Sequence, residues 1–158
     1  METPRHTDSV LVGASPEALY DLVSDVTRTG EWSPICRECW WRDEKRGVGA
    51  WFHGRNEADG ASWQTESKVI TAERGREFAW LVGGRFVRWG YTLEPEAQGT
   101  RLTESWEFRP TGIEMFHDKY GDAAPERIEL RTRQARAGIP AALTAIKRIA
   151  EAEARTSS

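Results

Sequence analysis

Across residues 63–108 apolar and polar side chains alternate with the two-residue period of half-buried strands. In the first run Trp63, Thr65, Ser67 and Val69 fall on one side, opposite Gln64, Glu66 and Lys68. Val87, Trp89, Tyr91 and Leu93 then oppose Phe86, Arg88, Gly90 and Thr92. Leu102, Glu104, Trp106 and Phe108 oppose Thr103, Ser105, Glu107 and Arg109. One sheet face is therefore built of tryptophan and other large apolar residues, with a single carboxylate, Glu104, among them. Such a face either packs on something large or lines a cavity.

The surrounding pattern predicts further elements. Residues 10–13 read as a strand leading into a helix, with Ser15 as N-cap and Pro16 at the first helical position. Leu19, Leu22, Val23 and Val26 share one helical face, and Gly30 closes the segment. Six strands are expected at about 36–43, 50–57, 63–73, 76–82, 86–94 and 100–109. Turn residues such as Asp59-Gly60 and Gly83-Gly84 make the connections short, which implies antiparallel neighbours. Residues 110–125 carry a weaker signal, a short helix bearing Met115, Phe116 and Tyr120. Residues 126–154 read as a helix with Ile139, Ala142, Leu143, Ile146, Ile149 and Ala150 on one face. Gly138 and Pro140 are expected to break or kink it.

At 158 residues the chain has the size of one domain, spanning 1–158. Its net charge of −3, with 22 basic and 25 acidic residues and no basic block, argues against a nucleic-acid surface. The polar start METPRHTDS gives neither a leader peptide nor a stable membrane insertion, so a cytoplasmic location is expected. Cys36 and Cys39 are too few for a disulfide framework and read as reduced thiols. They lack a second ligand pair, and His6, His53 and His117 are scattered, so neither a metal nor any cofactor is expected. At the start of a strand the two thiols should point to opposite faces as small core filler.

A strand, a helix, a six-strand meander and a long amphipathic helix are the parts of a curved sheet gripping a helix. Several stretches strengthen this: Ser15-Pro16-Glu17-Ala18-Leu19-Tyr20, Ser24-Asp25-Val26, Gly30-Glu31-Trp32-Ser33-Pro34, Val48-Gly49-Ala50 with Phe52-His53-Gly54-Arg55-Asn56, Phe78-Ala79-Trp80 and Gly99-Thr100-Arg101-Leu102-Thr103-Glu104-Ser105. In these, and in residues 143–149, the chain resembles the START-like or SRPBCC superfamily. That superfamily includes the Bet v 1 allergens and the polyketide cyclase/dehydrase and lipid transport family. The resemblance implies an α+β helix-grip fold: a curved antiparallel sheet wrapped around a long C-terminal helix, with short helices after the first strand.

It also implies an internal cavity between sheet and helix. Trp63, Trp80, Trp89, Tyr91 and Trp106 would wall it, joined by Phe52, Phe78 and Trp41. Asn56, Thr65 and Glu104 would be its polar contacts. Glu104 must be neutral, paired or hydrated there. It is a ligand anchor, a general acid with a raised pKa, or a structural carboxylate bonded to Asn56, Thr65, Tyr91 or an indole N–H. His53 and Arg55 belong to the outer, solvated face. Residues 126–136 read as a solvated helical face.

The function expected on this basis is non-catalytic binding or carriage of a hydrophobic small molecule: a lipid, a polyketide or another aromatic metabolite. The alternative is a polyketide cyclase or dehydratase acting in the same cavity, with no catalytic residue assigned. A third reading is an interaction module whose interior is filled by tryptophan. The reading also admits a homodimer.

Overall fold

The computed structural model describes residues 2–157 and shows one curved sheet closed by helices. Its strands are β1 (Arg5–Val12), β2 (Cys36–Trp41), β3 (Trp51–Ala58), β4 (Ala61–Glu73), β5 (Glu77–Val82), β6 (Val87–Glu96) and β7 (Gly99–Phe108). The helices are α1 (Pro16–Val23), α2 (Pro110–Tyr120) and α3 (Ala124–Thr156), with a 3₁₀ segment at Val26–Glu31. Every pairing is antiparallel, in the order β1-β7-β6-β5-β4-β3-β2. β2 to β7 form the expected meander, while α1 and the 3₁₀ segment carry the chain from one sheet edge to the other.

Local signals account for most boundaries. Ser15 Oγ accepts the Ala18 N–H at 3.1 Å and Pro16 opens α1, as the capping pattern requires. Asp59, at φ 53°, and Gly60, at φ 78°, make the two-residue turn between Ala58 and Ala61, whose twist suits a hairpin. Three boundaries differ from the sequence reading. β1 begins at Arg5, because pairing to β7 recruits five polar residues that lack an apolar signature. α1 ends at Val23 rather than near Gly30, because Asp25 starts the 3₁₀ segment by accepting the Thr27 N–H.

The third is α3, a 33-residue helix that runs unbroken through Gly138 and Pro140. Pro140 removes the hydrogen bond that the Arg136 carbonyl would accept, but both residues are exposed, so water can take its place. The buried face of α3, Thr132, Ala135, Ile139, Ala142, Leu143, Ile146 and Ala150, lies on the concave side of the sheet. Its C-terminal half covers a solid core with Val12, Leu19 and Leu102. Lys147 Nζ donates to the Leu11 carbonyl and to Glu151, and Glu151 accepts the Gly13 N–H, which fastens the helix to the end of β1.

Pro140→Ala restores an N–H to the middle of α3 at an exposed position. It should raise unfolding stability by roughly 1–3 kcal/mol, read as a shifted midpoint at unchanged slope in urea denaturation.

Candidate functional site

Strand register assembles the site. Trp80, Trp89 and Trp106 are direct cross-strand partners on β5, β6 and β7, and Phe78, Tyr91 and Glu104 make the adjacent row. Paired residues point to the same side. The rings therefore touch in sequence, Phe52 to Trp80 at 5.8 Å, Trp80 to Trp89 at 6.4 Å and Trp89 to Trp106 at 6.4 Å between centroids. The series continues through Phe108 into Phe116 of α2, at 4.9 Å.

Between this wall and the N-terminal half of α3 lies a cavity of about 430 Å³. The wall holds Phe52, Asn56, Trp63, Thr65 and Phe78, and then Trp80, Trp89, Tyr91, Glu104 and Trp106. The roof on α3 is Arg131, Gln134, Ala135, Gly138 and Ala142. The last three are small, so the helix backs away from the sheet there instead of filling it. Met115, Phe116 and Tyr120 of α2 close one side. Lining residues Gln64, Gly83 and Lys119 are exposed and mark the opening. Trp41 lies outside the lining: its ring packs on Phe52 and carries the Arg46 guanidinium at 4.4 Å.

Glu104 is 5% exposed, and its Oε1 has no hydrogen-bond partner. Asn56 and Thr65 do not hold it. Asn56 Nδ2 instead donates to Thr65 Oγ1 at 3.2 Å and to the Trp63 carbonyl at 3.3 Å. Burial alone pushes the Glu104 carboxyl up to about 8, so it is a neutral acid at most working pH values. Tyr91, its row neighbour, is raised well above the usual phenol value by burial, with Glu104 adding to the rise and the Trp32 indole opposing it.

Several lining residues lacked a sequence signal for the site. Arg131 was read as part of a solvated face, yet its guanidinium lies 3.8 Å over the Trp63 ring and donates only to Gln134, at 3.1 Å. Burial lowers its pKa, and no carboxylate pairs with it among the described residues. Gln134 in turn donates to Asp59, tying the roof to the β3–β4 turn at 2.8 Å. The recurrence of small residues at 135, 138 and 142 is the signal that would have marked the roof. His53 does sit on the outer face, but it is not solvated: Trp40 stacks on it at 5.5 Å. His117 is exposed and outside the lining, while its neighbours Met115 and Phe116 line it.

The thiols depart most from expectation. A bulge shifts the β2–β3 register between Cys36 and Glu38, so Cys36 and Cys39 turn to the same side with their sulfurs 2.9 Å apart. Both line the cavity.

Comparison with known proteins follows from this geometry. The family model described as polyketide cyclase / dehydrase and lipid transport matches residues 3–144. The polyketide-cyclase-like protein Cgl2372 of Corynebacterium glutamicum is 50% identical, covering 96% of this chain and 94% of that one, at a TM-score of 0.71. The Zhui aromatase/cyclase of Streptomyces sp. R1128 is 17% identical, with 99% of each chain covered and a TM-score of 0.78. Ara h 8.0201 is 16% identical, covering 96% of this chain and 99% of that one, at 0.65. At these lower identities the likeness is one of fold. No curated protein sequence matches. No helix among the described residues is long and apolar enough to cross a membrane.

The raised Glu104 pKa has a definite sign. Between the ordinary value of 4.5 and about 8 the folded protein keeps a proton that the unfolded chain has lost. The contribution of Glu104 to stability is therefore fully present below the lower value and falls as pH rises, by up to about 1.4 kcal/mol per pH unit, levelling off above the upper one. Urea unfolding of the wild type against pH should show this decline, and the isosteric Glu104→Gln variant should flatten it.

Proposed function

Because the chain belongs to the polyketide cyclase/dehydrase and lipid transport family, we propose that it binds a hydrophobic small molecule in the cavity under α3. A lipid, a polyketide or another aromatic metabolite fits this class. Glu104 carries the reading: a buried, unpartnered carboxyl in a wall otherwise made of indole and phenyl rings. A protein that needed only a filled interior would have no use for that group. A neutral acid in this place donates one hydrogen bond to a ligand carbonyl or hydroxyl.

The cavity volume lies within the roughly 300–1,000 Å³ usual for small-molecule sites. Desolvating the ligand supplies the affinity, at about 25 cal/mol per Å² of apolar area before the cost of association. Asn56, committed to Thr65 and a backbone carbonyl through its nitrogen, keeps its side-chain oxygen for the ligand. Arg131 lacks an anionic partner among the described residues, which suits it to an acidic group at one end of the guest. Ligand, tryptophan face and guanidinium then form one continuous layer at the roof.

A second reading rests on the same carboxyl. A group with a pKa of about 8 exchanges protons near neutrality, which suits a general acid. With Tyr91 beside it, Glu104 would move protons on a bound poly-β-ketone, as a cyclase or dehydratase must. The Zhui protein is named an aromatase/cyclase. Turnover separates the two: a carrier returns its ligand unchanged.

Denaturing extraction of the purified protein, followed by mass spectrometry, should release an apolar guest. In titrations read by tryptophan fluorescence, anilinonaphthalene sulfonate should quench the wild type. Ala142→Phe, which fills the roof, should abolish that response while the fold persists. Arg131→Leu should weaken sulfonate binding by roughly tenfold or more and leave a neutral naphthalene probe unaffected. Wild-type protein that yields no guest and binds neither probe overturns the proposal.

A further inference from the structure

The cavity wall contains a second chemical group that binding an apolar guest does not use. Cys36 and Cys39 sit on either side of the β2 bulge with their sulfurs in contact, 2.9 Å apart. Both are free thiols; Cys36 is half-buried and Cys39 buried. Gly54 on β3 lies beside them: a Cβ there would meet the Cys39 and Cys36 sulfurs in ordinary contact, at 3.5 and 3.7 Å, and crowd only Thr65 Oγ1, at 3.0 Å. Both cysteines line the cavity. As a staple such a bond would add little, because residues three apart close a very short loop.

The two sulfurs are also inequivalent. The hydrogen bond between the two sulfurs leads the lowering of the Cys36 pKa against the opposing effect of burial, with the Glu38 backbone and then Arg55 contributing. The same bond and burial push the Cys39 thiol far up. The more accessible sulfur is thus the one that ionises, and a protonated thiol is held against it.

We propose that Cys36 and Cys39 form a thiol–disulfide redox site in the cavity wall, Cys36 attacking a hydroperoxide and Cys39 resolving the product. The Cys36 thiolate attacks the terminal oxygen of the peroxide, the O–O bond breaks, and the alkoxide leaves and takes up a proton as alcohol, or as water from hydrogen peroxide. Cys36 becomes a sulfenic acid, oxidised by two electrons. Cys39 then loses its proton, its sulfur attacks that of Cys36, and hydroxide leaves as water. Two thiols and one hydroperoxide give one disulfide, one alcohol and one water; exchange with an external dithiol restores the pair.

Intact-mass analysis of the full chain treated with equimolar hydrogen peroxide tests this. The expected product is monomeric, lighter by two hydrogens, and reverts with dithiothreitol. Cys39→Ser should stop at a dimedone-reactive sulfenic acid, and Cys36→Ser should react at least about tenfold more slowly. Where either variant fails to fold, limited iodoacetamide labelling of the folded wild type decides the roles, Cys36 being labelled first. An unreacted chain, oxygen addition without hydrogen loss, a disulfide only between chains, equal rates for the two variants, or Cys39 labelled first overturns the proposal.

Discussion

Trp80, Trp89 and Trp106 stand opposite one another across three strands, and that register is the constraint on which the rest of the molecule depends. Because side chains alternate with a period of two, a slip of one residue on β6 or β7 would turn the whole aromatic set outward. The turns prevent the slip. Glu96 pairs with Gly99 across a two-residue connection, and Gly83 and Gly84, both at positive φ, set the β5–β6 turn. Once aligned, the rings support each other edge to face and face to face. The wall therefore stands without a helix packed against every part of it, and a hollow can persist. The same register that buries Leu102 and Trp106 buries Glu104 between them, so the isolated carboxyl is a direct outcome of strand pairing.

Against that wall, α3 does two jobs along its length. Ile139, Leu143 and Ile146 fill the space over β1, β7 and α1 and are almost wholly buried. Ala135, Gly138 and Ala142, interleaved with them along the helix, line the cavity. Large core side chains and small cavity-lining ones thus alternate between residues 135 and 143, and beyond that the packing is solid. The two ends are fastened separately, by Lys147 and Glu151 to the end of β1 and by Gln134 to Asp59. Because Ile139, Leu143 and Ile146 stay out of the cavity lining, the small roof residues can change without loss of the helix's core contacts.

Most of the fold was legible, because alternation, capping and turn residues act locally. Ser15-Pro16 starts a helix and Asp59-Gly60 makes a hairpin whatever surrounds them. Of the wall, alternation placed Trp63, Thr65, Trp89, Tyr91, Glu104 and Trp106 on one face of β4, β6 and β7, and the family resemblance added Phe52, Asn56, Phe78 and Trp80; all of these line the cavity, whereas Trp41 on the edge strand does not. Failures came where direction depends on distant partners. β1 is polar and is held by its ladder to β7. The Cys36–Cys39 bulge reverses one side chain relative to simple alternation, and no local pattern announces a bulge. Arg131 is charged on a charge-rich helical turn, and only the hairpin bearing Trp63 turns it into part of the roof. Pro140 looked like a break because local rules ignore that its orphaned carbonyl faces water.

The ionisable groups of the wall also act on one another. Tyr91 feels Glu104, Cys36 and Cys39, each of which raises its pKa further when negatively charged. An apolar guest that filled the cavity would exclude water from these groups and so lower the local dielectric around them. That change favours the neutral forms of Glu104 and Tyr91 and penalises a Cys36 thiolate. Binding of an uncharged guest and retention of protons are consequently linked in the same direction. Arg131 is the exception, since its charge cannot be given up and desolvation strengthens its pull on an anion. Filling the cavity would therefore favour neutrality at Glu104 and Tyr91 and strengthen the pull of Arg131 on negative charge.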